Sequence, residues 1–359
     1  PVTVSYTTVP GSAIEGDYVG TAGTLTFGPG ETKKTIEVTV NGDTIPEGNE
    51  TFSLQLTSAT GAAIVHAVGK ATIIDDDDPY TITRDVEYAN ADGVSLKLDL
   101  YTPNSGSGPY PLIVWIHGDH WSDGFRSPSP ALREASRGYA VAAIDIRSTN
   151  VDIFPAQIND AKAAVRYLRA NAIRYNIDAT RFAAWGFGSG GHIASLLGTS
   201  GDVDSLSDPA EGNAAISSRV QAVVSWAAPY DLLQLQADAL ACNTINYNSS
   251  GSFVSIFLGC PLEFCGAKGW DASPGKYVSR DDPPFLIVHA DDDCEVGIGQ
   301  AQGFLRLLKS SKIDATLKTI HNFGHLAPTA IEPSATLTDI DNFLDAKLPP
   351  LAKRRASTH

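Results

Sequence analysis

The chain has 359 residues, 43% of them hydrophobic and 19% charged, and a formal net charge of −15. That length fits about two domains and that composition a sizeable globular core. The acidic balance argues against nucleic acid or an anionic membrane surface as partner, and no apolar run is long enough to span a bilayer.

Residues 1–78 alternate apolar and polar side chains with the period of a strand. Segments 2–6, 24–27, 35–40 and 51–56 all read as strands, and Gly, Pro, Asn and Asp punctuate them. Short strands at regular spacing with turn signals predict an all-β sandwich. Four stretches carry a more specific signal: Gly16-Asp17-Tyr18, residues 25–31 (Leu-Thr-Phe-Gly-Pro-Gly-Glu), residues 46–52 (Pro-Glu-Gly-Asn-Glu-Thr-Phe) and residues 71–77 (Ala-Thr-Ile-Ile-Asp-Asp-Asp). Together they resemble a Calx-β domain. The resemblance implies a first strand ahead of Pro1, so an exposed sheet edge is expected. It also implies calcium at loop-end carboxylates, here Asp17, Asp43, Glu47, Glu50, Asp75, Asp76 and Asp77. Clustered carboxylates suit a hard cation that takes oxygen ligands. The other reading of the last three is a solvated acidic linker, because residues 75–78 also join the domains.

From Pro79 the pattern changes. Residues 94–100 still alternate, but 112–116, 140–144, 182–185, 220–226 and 285–288 are continuous apolar runs. Such runs are strands buried on both faces, as in a parallel sheet. Between them lie helical segments. In one, Pro155 takes a first helical position, and Ile158, Ala161, Val165 and Leu168 recur on one face. The alternation predicts a doubly wound, mostly parallel α/β sheet over residues 79–359, with its site at the carboxyl ends of the strands. Cys242, Cys260, Cys265 and Cys294 all fall in this domain. An even count points to two disulfides and to a secreted or periplasmic protein, with three pairings open. Four buried thiols are the alternative. The chain holds no methionine and no signal peptide, so Pro1 reads as a processing boundary.

Four motifs sit at those strand ends. Trp185-Gly186-Phe187-Gly188-Ser189-Gly190-Gly191-His192 follows a short strand and precedes a helix, the context of a nucleophile elbow. Ile116-His117-Gly118-Asp119-His120-Trp121 follows an apolar run. Residues 283–293 end in Asp291-Asp292-Asp293, and Ile320-His321-Asn322-Phe323-Gly324-His325 comes last. In this order they resemble the α/β-hydrolase superfamily, nearest the small secreted esterases related to feruloyl and acetyl-xylan esterases. The resemblance runs from about residue 85 to residue 348.

It implies a serine elbow, an acid, a base and an oxyanion loop, with no organic cofactor. Residues His192, Ala194, Leu197, Gly198 and Thr199 fix the register and put Gly188, not Ser189, at the nucleophile. The acid falls on Asp293, whose other reading is a cap for a helix starting near Ile298. The base falls on His325; His321 competes but lacks the preceding glycine. The oxyanion donors are backbone N–H groups at Gly118, Asp119 and Ser189. His120, Trp121, Phe125, Phe187 and Trp226 lie near strand ends that should line the pocket, and residues 202–273 read as a lid.

Two residues depart from the family pattern. Gly188 stands where a serine belongs, and Asp119 replaces a glycine in the oxyanion loop. Three explanations are open for the first. The chain is an inactivated form of an ordinary carboxylic ester hydrolase; or Ser189 serves through a re-registered turn; or His325 and Asp293 act as a general base in another chemistry, such as a cofactor-free lyase or isomerase. A catalytically dead protein that binds carbohydrate or another partner is the remaining class. The expected substrate is an ester, small or linked to a polymer.

Overall fold

A computed structural model describes residues 1–42, 49–74, 79–122, 124, 126, 130–325 and 334–350. The chain divides into two units, Pro1–Pro79 and Tyr80–His359.

In the first unit, β1 (Val2–Pro10), β2 (Ala22–Phe27), β3 (Glu50–Thr60) and β4 (Val68–Ile73) form one antiparallel sheet in the order β2-β1-β3-β4. β1 is paired on both sides, so the edge expected there is covered by β2 and β3. Ala13, Tyr18 and Phe52 make a small core in which Tyr18 stacks on Phe52 at 4.3 Å. Residues 35–40 alternate as a strand should, yet form only an isolated bridge, Tyr18 to Val40. Two backbone bonds flank that bridge, Val19 N–H to Thr39 O and Asn41 N–H to Asp17 O. Of the proposed calcium ligands, Asp43, Glu47, Asp75, Asp76 and Asp77 lie outside the described residues. Asp17 accepts the Ile14 N–H at 2.7 Å and so closes a turn, and Glu50 opens β3. Among the described residues no group of three or more His, Cys, Asp or Glu is placed to hold a metal.

The second unit is built on β5 (Tyr80–Ala91), β6 (Val94–Pro103), β7 (Tyr110–Ile116), β8 (Ala140–Ile144), β9 (Ile177–Phe187), β10 (Ala222–Trp226), β11 (Phe285–Ala290) and β12 (Ala315–Ile320). They form one eight-stranded sheet, β12-β11-β10-β9-β7-β8-β6-β5. β7 through β12 pair in parallel, and the β5-β6 hairpin closes one side antiparallel. The continuous apolar runs become β7, β8, β10 and β11, in which every residue is buried. Full burial of each large side chain contributes about 1.5–3 kcal/mol. Helices follow as α1 (Ala156–Ala170), α2 (Ser189–Thr199), α3 (Leu235–Asp238), α4 (Phe253–Leu258), α5 (Gly266–Asp271), α6 (Gly299–Ser310) and α7 (Ser334–Lys347). Ile158, Ala161, Val165 and Leu168 are all fully buried along α1, which starts one residue after Pro155. Buried throughout its length, α2 is apolar or small at every position except His192.

The winding reverses beside β7, whose neighbours are β8 on one side and β9 on the other. A crevice forms at such a switch point, outside the carboxyl ends of the strands. Register then decides which loops meet. Ile116 pairs with Gly186 and Ala290 with Ile320, so the chain leaves β7 beside β9 and β11 beside β12.

The cysteines form two bridges, Cys242–Cys294 and Cys260–Cys265. The first ties the segment before α4 to the residue that follows Asp293. Residues 202–273 are not one lid, because β10 runs through them. Only the part after Trp226 reaches the carboxyl ends of the strands. Replacing Cys242 and Cys294 by serine should lower the unfolding free energy by about 4 kcal/mol, the loop-closure term for a separation of 52 residues. Urea unfolding checks this; an unchanged midpoint would mean that the bridge constrains nothing.

Candidate active site

The turn from β9 into α2 is made by close backbone packing. A Cβ on Gly190 would fall 2.1 Å from the Ile116 carbonyl oxygen, and one on Gly186 would fall 2.3 Å from Gly190. Glycine at both places lets the start of α2 press against the end of β7. Between them Gly188 has φ +54 and ψ −120, and its N–H donates to Trp226 O at 2.9 Å. α2 begins at Ser189, inside the motif rather than after it. The His192 N–H donates to Gly188 O, so the N–H groups of Ser189, Gly190 and Gly191 have no acceptor within the helix. Such a helix start favours negative charge.

His325 faces this turn. A Cβ built on Gly188 would lie 3.6 Å from His325 Nε2, with no other atom inside 4 Å. The other ring nitrogen, Nδ1, lies 2.8 Å from Asp293 Oδ2. Asp293 is fully buried, and its Oδ1 accepts the N–H groups of Glu295 and Val296 at 2.9 and 2.7 Å. Burial pushes its carboxyl up, but the His289 ring 3.4 Å away and the hydrogen bond with His325 outweigh that and hold it well below the usual carboxylate range. The helix-cap reading fails, since α6 has Ile298 at its cap position with no side-chain bond. His321 is an exposed residue whose Nδ1 lies 2.5 Å from Asp291, away from the turn.

The loop carrying His325 is clasped by three consecutive carboxylates. Asp291 holds His321 and accepts the Asn322 N–H, Asp292 accepts the N–H groups of Phe323 and Gly324, and Asp293 holds His325. Sequence reading assigned a role only to the last of them.

The loop after β7 is strained. Asp119, His120 and Trp121 have φ of +82, +58 and +58. Non-glycine residues in that region cost about 1–2 kcal/mol each. Trp121 pins the loop: its ring stacks on Phe257 at 4.3 Å, its Nε1–H donates to His192 Nδ1 at 3.2 Å, and its carbonyl accepts the Thr149 N–H. His192 in turn donates from Nε2 to Ala272 O at 2.7 Å, which fixes its tautomer. Burial pushes His192 down to about 4, against the opposing pull of that bond, so it is neutral near pH 7.

These loops enclose a cavity of about 270 Å³. Gly188, His325, Asp119, His120, Trp121 and Phe187 line it, as do Pro229, Phe253, Glu295 and Val296, which sequence reading left out. Phe187 packs on the His325 ring at 5.1 Å. Ser189 also borders it, but its Oγ is buried and has no hydrogen-bond partner, His325 included. Trp226 does not line the cavity. Its indole is 1% exposed inside the sheet core, because the last residue of a central parallel strand points into a covered face. Phe125 lies outside the described residues. Glu295 was visible in the sequence as a second carboxylate just past Asp293. Its Oε1 lies 2.6 Å from His120 Nε2 and 3.5 Å from His325 Nε2. That bond to Glu295 holds the His120 imidazole above the ordinary histidine value. Pro229 and Phe253 left no pattern that points to a cavity.

Comparison with known proteins gives two family matches. The BD-FAE family model matches residues 98–308, and the Calx-beta domain model matches residues 1–78. Esterase LipC of Mycobacterium tuberculosis is 28% identical over 206 residues, 56% of this chain and 49% of that protein. The chain thus spans about half the length of that relative. Among solved structures, a truncated carbohydrate esterase from gut microbiota has 28% identity and a TM-score of 0.68, covering 76% of this chain and 98% of that one. A bifunctional GH43-CE protein of Bacteroides eggerthii has 22% identity and a TM-score of 0.70, over 97% and 57%, and shares the fold.

His192 gives the site a pH dependence of its own. Between the ordinary histidine value of 6.5 and about 4, the unfolded chain binds a proton at this position and the folded chain does not. Stability therefore falls on acidification through that window and is indifferent to this residue below it. Urea midpoints between pH 7.5 and pH 4 should show the slope, and His192→Gln, which can keep both hydrogen bonds, should flatten it. An identical slope in the variant would assign the effect elsewhere.

Proposed function

Because residues 98–308 place the chain in the BD-FAE family, behind an amino-terminal Calx-beta domain, we propose that its second unit is built to hydrolyse carboxylic esters through an acyl-enzyme, and that Gly188 disables the first step. The esterase names of its relatives support the class. The observation that carries the reading is the 3.6 Å between a Cβ at position 188 and His325 Nε2. A hydroxyl one bond further out would come within hydrogen-bond reach of that nitrogen. His325 would take its proton as the oxygen attacks the ester carbonyl, Asp293 would steady the resulting imidazolium, and His325 would then return the proton to the departing alcohol. Backbone N–H groups at the start of α2 and in the Gly118–Asp119 turn would hold the oxyanion. Glycine has no group to make the acyl bond. The buried, unpartnered Ser189 Oγ does not favour a shifted nucleophile. Two disulfides support an oxidising compartment, and we assign the protein to a secreted or periplasmic location on that ground.

A short-chain aryl ester assay separates the readings. The chain as it stands should hydrolyse the ester feebly, and Gly188→Ser should raise kcat by at least about 10³-fold. The same substitution should lower stability by about 1–3 kcal/mol, since a side chain must then hold a φ of +54. A fluorophosphonate adduct located by mass spectrometry should fall on position 188. A folded Gly188→Ser variant without added activity would remove the ester-hydrolase reading, and native activity abolished by Ser189→Ala would move the nucleophile.

A further inference from the structure

The cavity holds a carboxylate that this mechanism does not use. Glu295 Oε1 sits 3.5 Å from His325 Nε2, the nitrogen that would return a proton to the departing alcohol. The alcohol half of the ester must therefore leave alongside Glu295. This placement rests on the acyl-enzyme reading above.

Glu295 is firmly set. Its neighbour Cys294 is bridged to Cys242, and its carbonyl accepts hydrogen bonds from Tyr247 Oη and Asn243 Nδ2. Its carboxylate accepts from His120, whose ring packs on Phe253 at 4.4 Å. Burial raises the Glu295 carboxyl, but the bond from His120 and the nearby His325 bring it below the ordinary glutamate value, so it is an anion near neutral pH. Its side chain is 25% exposed and lines the cavity. A carboxylate offers several acceptor directions, more than one bond from His120 uses. An ordinary alkyl alcohol would cover this acceptor and give nothing back, which leaves a charged group desolvated and under-bonded. An anionic alcohol would meet both Glu295 and the exposed carboxylate of Asp119, and the described lining residues include no Lys or Arg.

We propose that Glu295 determines specificity for the leaving group: it selects esters whose alcohol carries another hydroxyl beside the ester oxygen, as in glycerol or a sugar, and rejects anionic alcohols. The neighbouring hydroxyl donates to the carboxylate as the ester oxygen takes its proton from His325. His120 is the clamp that keeps the acceptor turned into the cavity.

The test pairs glycerol 1-monoacetate with propyl acetate, which differ in the hydroxyls of the alcohol. Binding is read by NMR on the chain as it stands, which does not depend on turnover. Rates are read in the Gly188→Ser background. A hydrogen bond to a charged acceptor predicts a preference of about tenfold for monoacetate in both readouts. Glu295→Gln, close in size and able to keep the His120 contact, should bring both ratios toward one. A clamp with a purely structural role would instead lower both esters equally and leave the ratio unchanged, and that result overturns the proposal. Equal binding of the two esters, or none, overturns it as well. Preferential binding lost in Glu295→Gln, with no hydrolysis of either ester by Gly188→Ser, would leave the hydroxyl selection standing and remove the ester-hydrolase reading.

Discussion

The site depends on a clasp between two neighbouring loops. β11 and β12 are parallel and in register, so the loops that follow them emerge together. Three aspartates in a row, at 291, 292 and 293, then bind the 321–325 segment residue by residue. The outer two mostly take main-chain N–H groups and set the path of the loop. The innermost takes the imidazole. Being buried, it could not remain ionised alone, and its charge survives because His325 and two backbone N–H groups bond to it and His289 Nε2 lies 3.4 Å away. Orientation of His325 is therefore settled by the sheet and the carboxylates before any nucleophile is considered.

The facing wall is made differently, by strain and close approach. Gly186 and Gly190 bring backbone against backbone, and no side chain fits there. The Asp119–Trp121 turn holds three consecutive residues at positive φ. Such a turn persists only where its surroundings over-determine it. Trp121 provides that, clamped between Phe257 and His192, while His192 is itself anchored to Ala272. The pairing of a strained loop with a rigid aromatic pin is what a preorganised anion site requires, because donors that must first move into place give up part of their effect.

The sequence made the frame legible for physical reasons. Apolar runs of four to seven residues between turn signals are too short for buried helices and fit doubly buried strands, so the central sheet could be read directly, and the order of elbow, Asp293 and His325 followed from motif residues. What escaped was of another kind. The alternation in residues 35–40 describes a face, but a strand also needs a neighbour, and there the backbone found only Tyr18. Trp226 was misjudged because strand ends are near a site while their side chains still point into the core. Pro229 and Phe253 reach the cavity through loops whose path depends on Cys242–Cys294, a pairing that spacing does not choose. Glu295 was in view, but a carboxylate two residues past another one reads as a solvated loop until His120 is seen to cross the cavity to it.

Gly188 is informative because so little of the site depends on it. His325 is held by Asp293, the turn by Gly186 and Gly190, the Asp119 loop by Trp121, and the cavity rim by Glu295 with His120. None of these contacts involves a side chain at position 188. Glycine is also the residue for which φ +54 carries no steric penalty. The geometry that would serve a serine is thus kept without one, and in a more relaxed backbone. Enzymes hold their nucleophiles in strained turns at a cost in stability. In this chain the turn is present with its strain removed, so the surrounding architecture persists on its own packing and hydrogen bonds.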